Sequence, residues 1–268
     1  MSAAAGLLRD RVVVISGVGP GLGRMLALRC AEHGADVVLA ARTRERLEKV
    51  AAEVEAARIE GTGRRALVVP TDITDDDSAA SLVDTAVSEF GRVDVLINNA
   101  FSVPSMKPLA RTDFQQIRDS IELTVLGALR LTQLFAPALA ESAGAVVNIN
   151  SMVLRHSQER YGSYKLAKSA LLAMSQSLAT ELGPQGVRVN SVAPGYIWGP
   201  ILQGYFEHQA GKYGTTVEQI YEHTAAASDL KRLPTTEEIA DAVIFLASPM
   251  ASAITGQCLD VNCGEYHH

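Results

Sequence analysis

Residues 11–42 read RVVVISGVGPGLGRMLALRCAEHGADVVLAAR, and this stretch decides the fold. Residues 11–16 are a short continuous run rich in β-branched side chains, the pattern of a strand buried on both faces of a parallel sheet. Gly17, Gly21 and Gly23 follow at once. Leu22, Leu26, Leu28 and Cys30 fall in a helix that ends near Gly34, and a second apolar strand runs over 36–41. Glycines in a strand-to-helix turn let the backbone bend tightly and approach a pyrophosphate, which then sits at the helix N-terminus. The spacing is G-x-x-x-G-x-G, not G-x-G-x-x-G, and Gly19 gives only a partial match to the latter, which is discounted. A glycine cluster alone is weak evidence. Between a buried strand and a helix, at the head of repeated strand–helix units, it is good evidence.

The alternation continues along the chain. Strands are expected near 11–16, 36–41, 65–70, 93–98, 144–150, 187–192 and 257–261. Helices are expected near 21–33, 43–57, 75–90, 110–140, 163–182 and 236–247. This order calls for an α/β fold, a doubly wound parallel sheet of about seven strands with helices on both faces. Ligands of such sheets bind beyond the carboxyl ends of the strands, where the strand order reverses. Gly17, Asn98, Ser151 and Pro194 all follow predicted strands and so converge on one crevice. Residues 1–268 form a single domain of ordinary length for this class. Residues 199–234 interrupt the alternation with an aromatic-rich lobe containing Trp198, Tyr205, Phe206, Tyr213 and Tyr221.

Composition narrows the function. The formal net charge is −6 with no long basic run, which argues against a nucleic-acid partner. Cys30, Cys258 and Cys263 show no metal spacing and read as packing residues, so no metal is expected. No apolar run of membrane-spanning length and no signal-peptide pattern are read, so the expectation is a cytoplasmic protein. His267 and His268 support no argument.

The segment YKLAKSALLAMSQSLATEL, residues 164–182, is apolar at helical spacing. It places Tyr164 and Lys168 on one helix face. An ammonium beside a phenol lowers the phenol's pKa, and a tyrosine so tuned serves as general acid or base near neutral pH. A lone Y-x-x-x-K is more often two surface side chains; the rest of the chain overturns that reading here.

Together these residues resemble the short-chain dehydrogenase/reductase family over almost the whole chain. The family's T-G-x-x-x-G-x-G appears as SGVGPGLG, with Ser16 for threonine. Its N-N-A-G appears as Asn98, Asn99, Ala100 and then Phe101. Its serine thirteen residues before the tyrosine is met by Ser151. Its Y-x-x-x-K is Tyr164 and Lys168, its P-G is Pro194 and Gly195, and its V-D-G-G is Val261, Asn262, Cys263 and Gly264.

The resemblance implies a Rossmann-like fold and hydride transfer between a nicotinamide and a carbonyl or carbinol carbon. Tyr164 would pass the proton, Ser151 would hydrogen-bond the substrate oxygen, and Lys168 would tune the tyrosine and hold the nicotinamide ribose. It implies cofactor contacts from Gly17, Gly21, Leu22, Gly23, Asp72, Ile73, Asn99, Ala100, Tyr164, Lys168, Pro194, Gly195 and Ile197, with Asn98 lining the same channel. It also makes 199–234 the substrate lobe, and implies a homotetramer or homodimer assembled through the long helices flanking the fifth strand and through the C-terminal segment. Arg42, after a strand end with no acid, favours NADP(H), with NAD(H) as the alternative and a merely solvated arginine as the bland reading. Asp72 could instead cap the next helix.

Three positions depart from the family. Thr124 stands where it has a water-holding asparagine, Phe101 where it has glycine, and Gly199 where it has threonine. Thr124 could equally be a core threonine bonded to its own helix. These departures keep two alternatives in view: a nucleotide-binding redox sensor or interaction protein with weak catalysis, and a same-fold dehydratase or epimerase. The intact Ser151, Tyr164 and Lys168 favour an oxidoreductase acting on a largely apolar ketone or secondary alcohol. Arg155, His156, Arg160, His208 and His223 are candidates to meet a polar substituent, none singled out.

Overall fold

Val12–Ser16, VVVIS, is buried at all five positions and forms strand β1 at the middle of the sheet. The other strands are β2 (Asp36–Ala41), β3 (Ala66–Pro70), β4 (Val95–Asn98), β5 (Ala145–Ile149), β6 (Arg188–Pro194) and β7 (Cys258–Val261). All pair in parallel in the order β3-β2-β1-β4-β5-β6-β7. The order reverses between β1 and β4, which opens a crevice beyond their carboxyl ends. The computed structural model describes residues 6–56, 65–102 and 105–267. The expected end of the second helix at residue 57, and His268, lie outside them.

The helices are α1 (Leu22–Glu32), α2 (Arg44–Ala56), α3 (Asp76–Phe90), α4 (Phe114–Ile121), α5 (Gly127–Glu141), α6 (Gly162–Leu182), α7 (Pro200–Tyr213), α8 (Val217–Ala225) and α9 (Thr236–Ala247). One face of the sheet is covered through Leu26, Ala27 and Cys30 of α1, Leu47 and Val50 of α2 and Val243 and Ile244 of α9. The other is covered through Leu82 of α3, Leu131, Phe135 and Leu139 of α5 and Leu178 of α6. Starts are set by local chemistry. Asp75 accepts from the Ser78 amide at 2.8 Å, and Thr235 and Glu238 form a reciprocal capping box on α9.

Two expectations need correction. The single helix expected over 110–140 is α4 and α5 joined by a π-helical segment, Glu122–Leu126, and preceded by a short 3-10 turn at Leu109–Arg111. The continuous helix Phe114–Glu141 is also long and apolar enough to cross a membrane by length and composition, contrary to the reading of the sequence. Its apolar face is spent on the sheet, where Leu131, Phe135 and Leu139 are fully buried, and its Arg130 pairs with Asp76. Residues 199–234, to which the sequence assigned no element, hold α7 and α8. Trp198 bridges to Thr235 at the base of this excursion, and its amide donates to Pro234 O at 2.8 Å, so the lobe leaves and rejoins the body at one point.

Candidate active site

A cavity of about 560 Å³ lies over the crevice. Its floor is the turn from β1 into α1. Gly17 takes φ +81°, and a Cβ there would meet Ala100 Cα at 2.5 Å, so the ends of β1 and β4 approach only because this residue is glycine. A Cβ on Gly19 would touch nothing within 4 Å, and one on Gly21 only the Ile201 side chain at 3.3 Å. Gly21 precedes α1 with no side-chain cap, so the first turn of that helix opens onto the cavity. Space without side chains before an uncapped helix N-terminus suits a pyrophosphate. Gly19, discounted from its spacing, lines this space with Gly17, Gly21, Leu22 and Gly23.

The opposite wall holds Ser151, Tyr164 and Lys168. Ser151 follows β5 in extended conformation, and its hydroxyl accepts from the Val153 amide at 3.3 Å. Tyr164 and Lys168 rise from the first turns of α6, and all three residues line the cavity. Lys168 is 2% exposed, and its Nζ donates to Ile149 O at 2.7 Å while standing 5.6 Å from the centre of the Tyr164 ring. Burial holds its amine down to about 7.

The expected lowering of the Tyr164 pKa is reversed. Burial pushes the phenol up to about 12, against the pull of its hydrogen bond with Ser151 and with the neighbouring Tyr161 adding to the rise. The shared helix face brings the lysine close, but one of its N–H groups is turned to the Ile149 carbonyl and desolvation of the phenolate dominates.

The remaining candidates divide by position. Asn99, Pro194, Gly195 and Ile197 line the cavity, and Asn99 Nδ2 donates to Gly17 O at 2.8 Å. Asn98, expected in the channel, turns into the interior instead: its Nδ2 donates to Asn148 Oδ1 at 2.9 Å, and Asn148 in turn donates to Ser175 Oγ at 2.7 Å. Ala100 stands against Gly17 at the crevice edge. Arg42, Asp72 and Ile73 lie outside the cavity wall, after β2 and β3. Arg42 is exposed and makes no hydrogen bond or ion pair among the described residues, but its charge helps hold Asp72 low. Asp72 is not the cap of α3, a role taken by Asp75; it accepts from the Thr74 amide at 3.0 Å and the Thr74 hydroxyl at 2.7 Å. Ile73 is buried and packs beside Gly127.

The departures also resolve. Thr124 is buried within the π-helical segment, a distortion that recurs at functional sites, and does not line the cavity. Thr132 bonds back to Ala128 O at 2.8 Å, but Thr124 makes no such bond among the described residues. Phe101 lines the cavity half-exposed, and Gly199 precedes α7 where a Cβ would meet the Thr236 methyl at 3.0 Å. Of the lobe aromatics, Trp198, Phe206 and Tyr221 pack on one another, with ring centroids 5.7 and 4.7 Å from Trp198, and only Tyr205 faces the cavity. Arg155 is spent on Asp260 at 2.9 Å, while Arg160, His208 and His223 are exposed away from it. His156 lines it. Sequence reading gave no sign of Met106, Val153, Tyr161 and Leu202 as wall residues; they share only their place in the segments that follow the strands, Leu202 on α7. Asn150, 2% exposed with Nδ2 unpartnered, was foreshadowed only by its place beside Ser151.

A family model described as "Enoyl-(Acyl carrier protein) reductase" matches residues 17–266. The chain belongs to the short-chain dehydrogenase/reductase family. As such it is an NAD(P)-dependent oxidoreductase of alcohol and carbonyl groups. This short-chain dehydrogenase/reductase is 36% identical over 256 residues to cis-4-hydroxycyclohexanecarboxylate dehydrogenase of Sinomonas cyclohexanicum, covering 95% of this chain and 96% of that one. It superposes with TM-score 0.90 and 28% identity on L-sorbose reductase from Gluconobacter frateurii complexed with NADPH and L-sorbose, covering 98% of each chain. It also resembles 7α-hydroxysteroid dehydrogenase complexed with NADH and 7-oxo glycochenodeoxycholic acid, with TM-score 0.86, 30% identity and 98% of each chain covered.

Proposed function

We propose that this enzyme uses NADP(H) to interconvert a largely apolar cyclic ketone and its secondary alcohol, with Tyr164 as general acid and base. The observation that carries the reading is that Ser151, Tyr164 and Lys168 share one cavity with the glycine turn, while the outer wall is Phe101, Met106, Val153, Leu202 and Tyr205. A bound nicotinamide would supply or accept the hydride. A phenol raised to about 12 stays protonated throughout the neutral range, which suits donation to a carbonyl oxygen in the direction of reduction. Its hydrogen bond with Ser151 places a second polar group beside the same oxygen. Lys168 and the Ile149 carbonyl fix the base of the site, and Lys168 would hold the nicotinamide ribose.

Preference for NADP(H) is supported by Arg42, an exposed cation just beyond β2 with no acid at the strand end, where a 2′-phosphate would be met by a planar fork. A ring substrate is supported by the apolar wall and by likeness to proteins named for a hydroxycyclohexanecarboxylate and a hydroxysteroid. Exposed Phe114, Leu126 and Leu134 on the Phe114–Glu141 helix, and Leu166 on α6, support a homotetramer; three free cysteines suit a reducing cytoplasm. The test is a panel of cyclic and open-chain ketones and alcohols with each nucleotide, followed at the absorbance of reduced nicotinamide. Turnover of cyclic ketones with NADPH is expected. Nucleotide binding without turnover of any member would replace this reading with that of a sensor protein.

A further inference from the structure

A second cavity, of about 280 Å³, lies between α7 and α8 and meets the first along Tyr196 and Tyr205, which line both. Tyr205, Gln209 and Tyr213 stand four residues apart on α7 and so form a stripe along one face of that helix, starting at the first cavity. Ile220 and Thr224, again four apart, supply the facing wall from α8. The floor is Phe206, 3% exposed and packed on Trp198 in the core of the lobe, so the groove is preformed. Among the described residues no charged side chain lines it, and the Thr224 hydroxyl is spent on Ile220 O at 2.8 Å. Two solvent-exposed phenol rings remain, Tyr205 and Tyr213, with the Gln209 amide between them. Lys212 covers one face of the Tyr213 ring, its Nζ 5.0 Å from the ring centre. Exposed aromatic surface gathered in a concave site marks a place where a ligand binds. The first cavity contains the glycine turn, so a dinucleotide takes part of its volume, and the part of a substrate beyond its reacting ring needs room elsewhere.

We propose that the groove between α7 and α8 is a second substrate subsite, which takes an apolar ring that the substrate carries away from its reacting carbonyl or carbinol. The inference rests on the reading of the chain as a cyclic-ketone reductase and names the substrate class: ring ketones and alcohols that bear a second ring. Tyr196 and Tyr205 stand at the junction of the two cavities, so a substrate that reacts at Tyr164 passes them to reach the groove. Flat rings suit these walls, because offset-stacked or edge-to-face contacts with the phenols add to the burial of apolar surface.

The test compares cyclohexanone with its 4-phenyl, 4-benzyl and 4-phenethyl derivatives, whose tethers of increasing length bracket the span to the groove, using NADPH and the wild type, Tyr213→Ala and Gln209→Trp. With the best of the three derivatives the wild type should exceed its kcat/KM for cyclohexanone by about tenfold or more. Tyr213→Ala removes an exposed wall and Gln209→Trp fills the groove, and neither residue lines the first cavity. Tyr213→Ala should lower the ratio of the two kcat/KM values about threefold or more, and Gln209→Trp should bring it near one. Should Gln209→Trp not fold, the wild type and Tyr213→Ala decide the matter alone. The inference is overturned if the wild type turns over cyclohexanone as well as every derivative, or if the ratio survives in either folded variant. Absence of turnover of every ring ketone instead overturns the cyclic-ketone reading, and this inference with it.

Discussion

Lys168→Met should make the cofactor-free protein more stable while destroying its chemistry. The ammonium is 2% exposed, and burial takes its pKa from 10.5 to about 7. Between those values the unfolded chain binds more protons than the folded one, so stability rises with pH across that window. At pH 7 the buried amine costs the fold about 4 kcal/mol, and at pH 9.5 about 1 kcal/mol. Methionine removes that cost and forfeits the bond from Nζ to Ile149 O, worth about 1–3 kcal/mol if the carbonyl is left unpaired. The balance is a gain of about 2 kcal/mol at pH 7 that vanishes near pH 9.5. For a chain of this length that gain is about 4 °C in Tm. Thermal melts of both proteins without nucleotide, at pH 7 and pH 9.5 and equal concentration, measure it. A variant that melts lower than wild type at pH 7, or a difference that does not shrink at the higher pH, would refute the placement of Lys168 as a desolvated amine held for function at the expense of stability.

Arg42→Ala should weaken NADPH by about 1.5–3 kcal/mol, or about 10–150-fold in Kd, and leave NADH nearly unchanged; equal loss for both nucleotides by titration calorimetry would remove Arg42 from 2′-phosphate recognition. Thr124→Ala should lower kcat only mildly, since Thr124 is buried off the cavity wall; steady-state kinetics showing a loss as large as that from removing the Tyr164 hydroxyl would make it a primary catalytic group. Light scattering should give a tetramer at micromolar concentration, and Phe114→Glu, at an aromatic side chain 75% exposed, should shift it to smaller species; a monomeric wild type would exclude assembly through this face.

The fold was legible because its signals are local and repeated. The all-buried VVVIS and the glycine turn each carry their structure within a few residues. The cavity wall was legible where backbone position alone puts a residue on it, as for Gly17, Ser151 and the α6 pair. It was not legible where the direction of a side chain decides. Asn98 and Asn99 are neighbours on an extended segment and point to opposite sides, so only one can face the glycine turn. Spacing puts Lys168 beside Tyr164, but not its proton on Ile149 O, which required β5 to be brought under α6. The helices of the lobe were hidden by Gly204 and Gly211 inside α7 and by a core that exists only once Trp198, Phe206 and Tyr221 meet. His156 stood among five candidates for a polar substituent that the sequence could not rank; of the five it alone lines the cavity.

The central claim is that the Tyr164 hydroxyl is the proton donor and acceptor of an oxidoreductase site. Tyr164→Phe removes one oxygen atom and keeps the ring that packs edge-on to Tyr161 at 6.5 Å. Reduction of a cyclic ketone by NADPH, followed at the reduced-nicotinamide band in wild type and Tyr164→Phe alongside nucleotide titration, tests it most directly. The account predicts steady turnover by the wild type, and a variant that binds NADPH as before yet turns over at least about 10²–10⁴-fold more slowly. A Tyr164→Phe enzyme that reduces the ketone at the wild-type rate would contradict it.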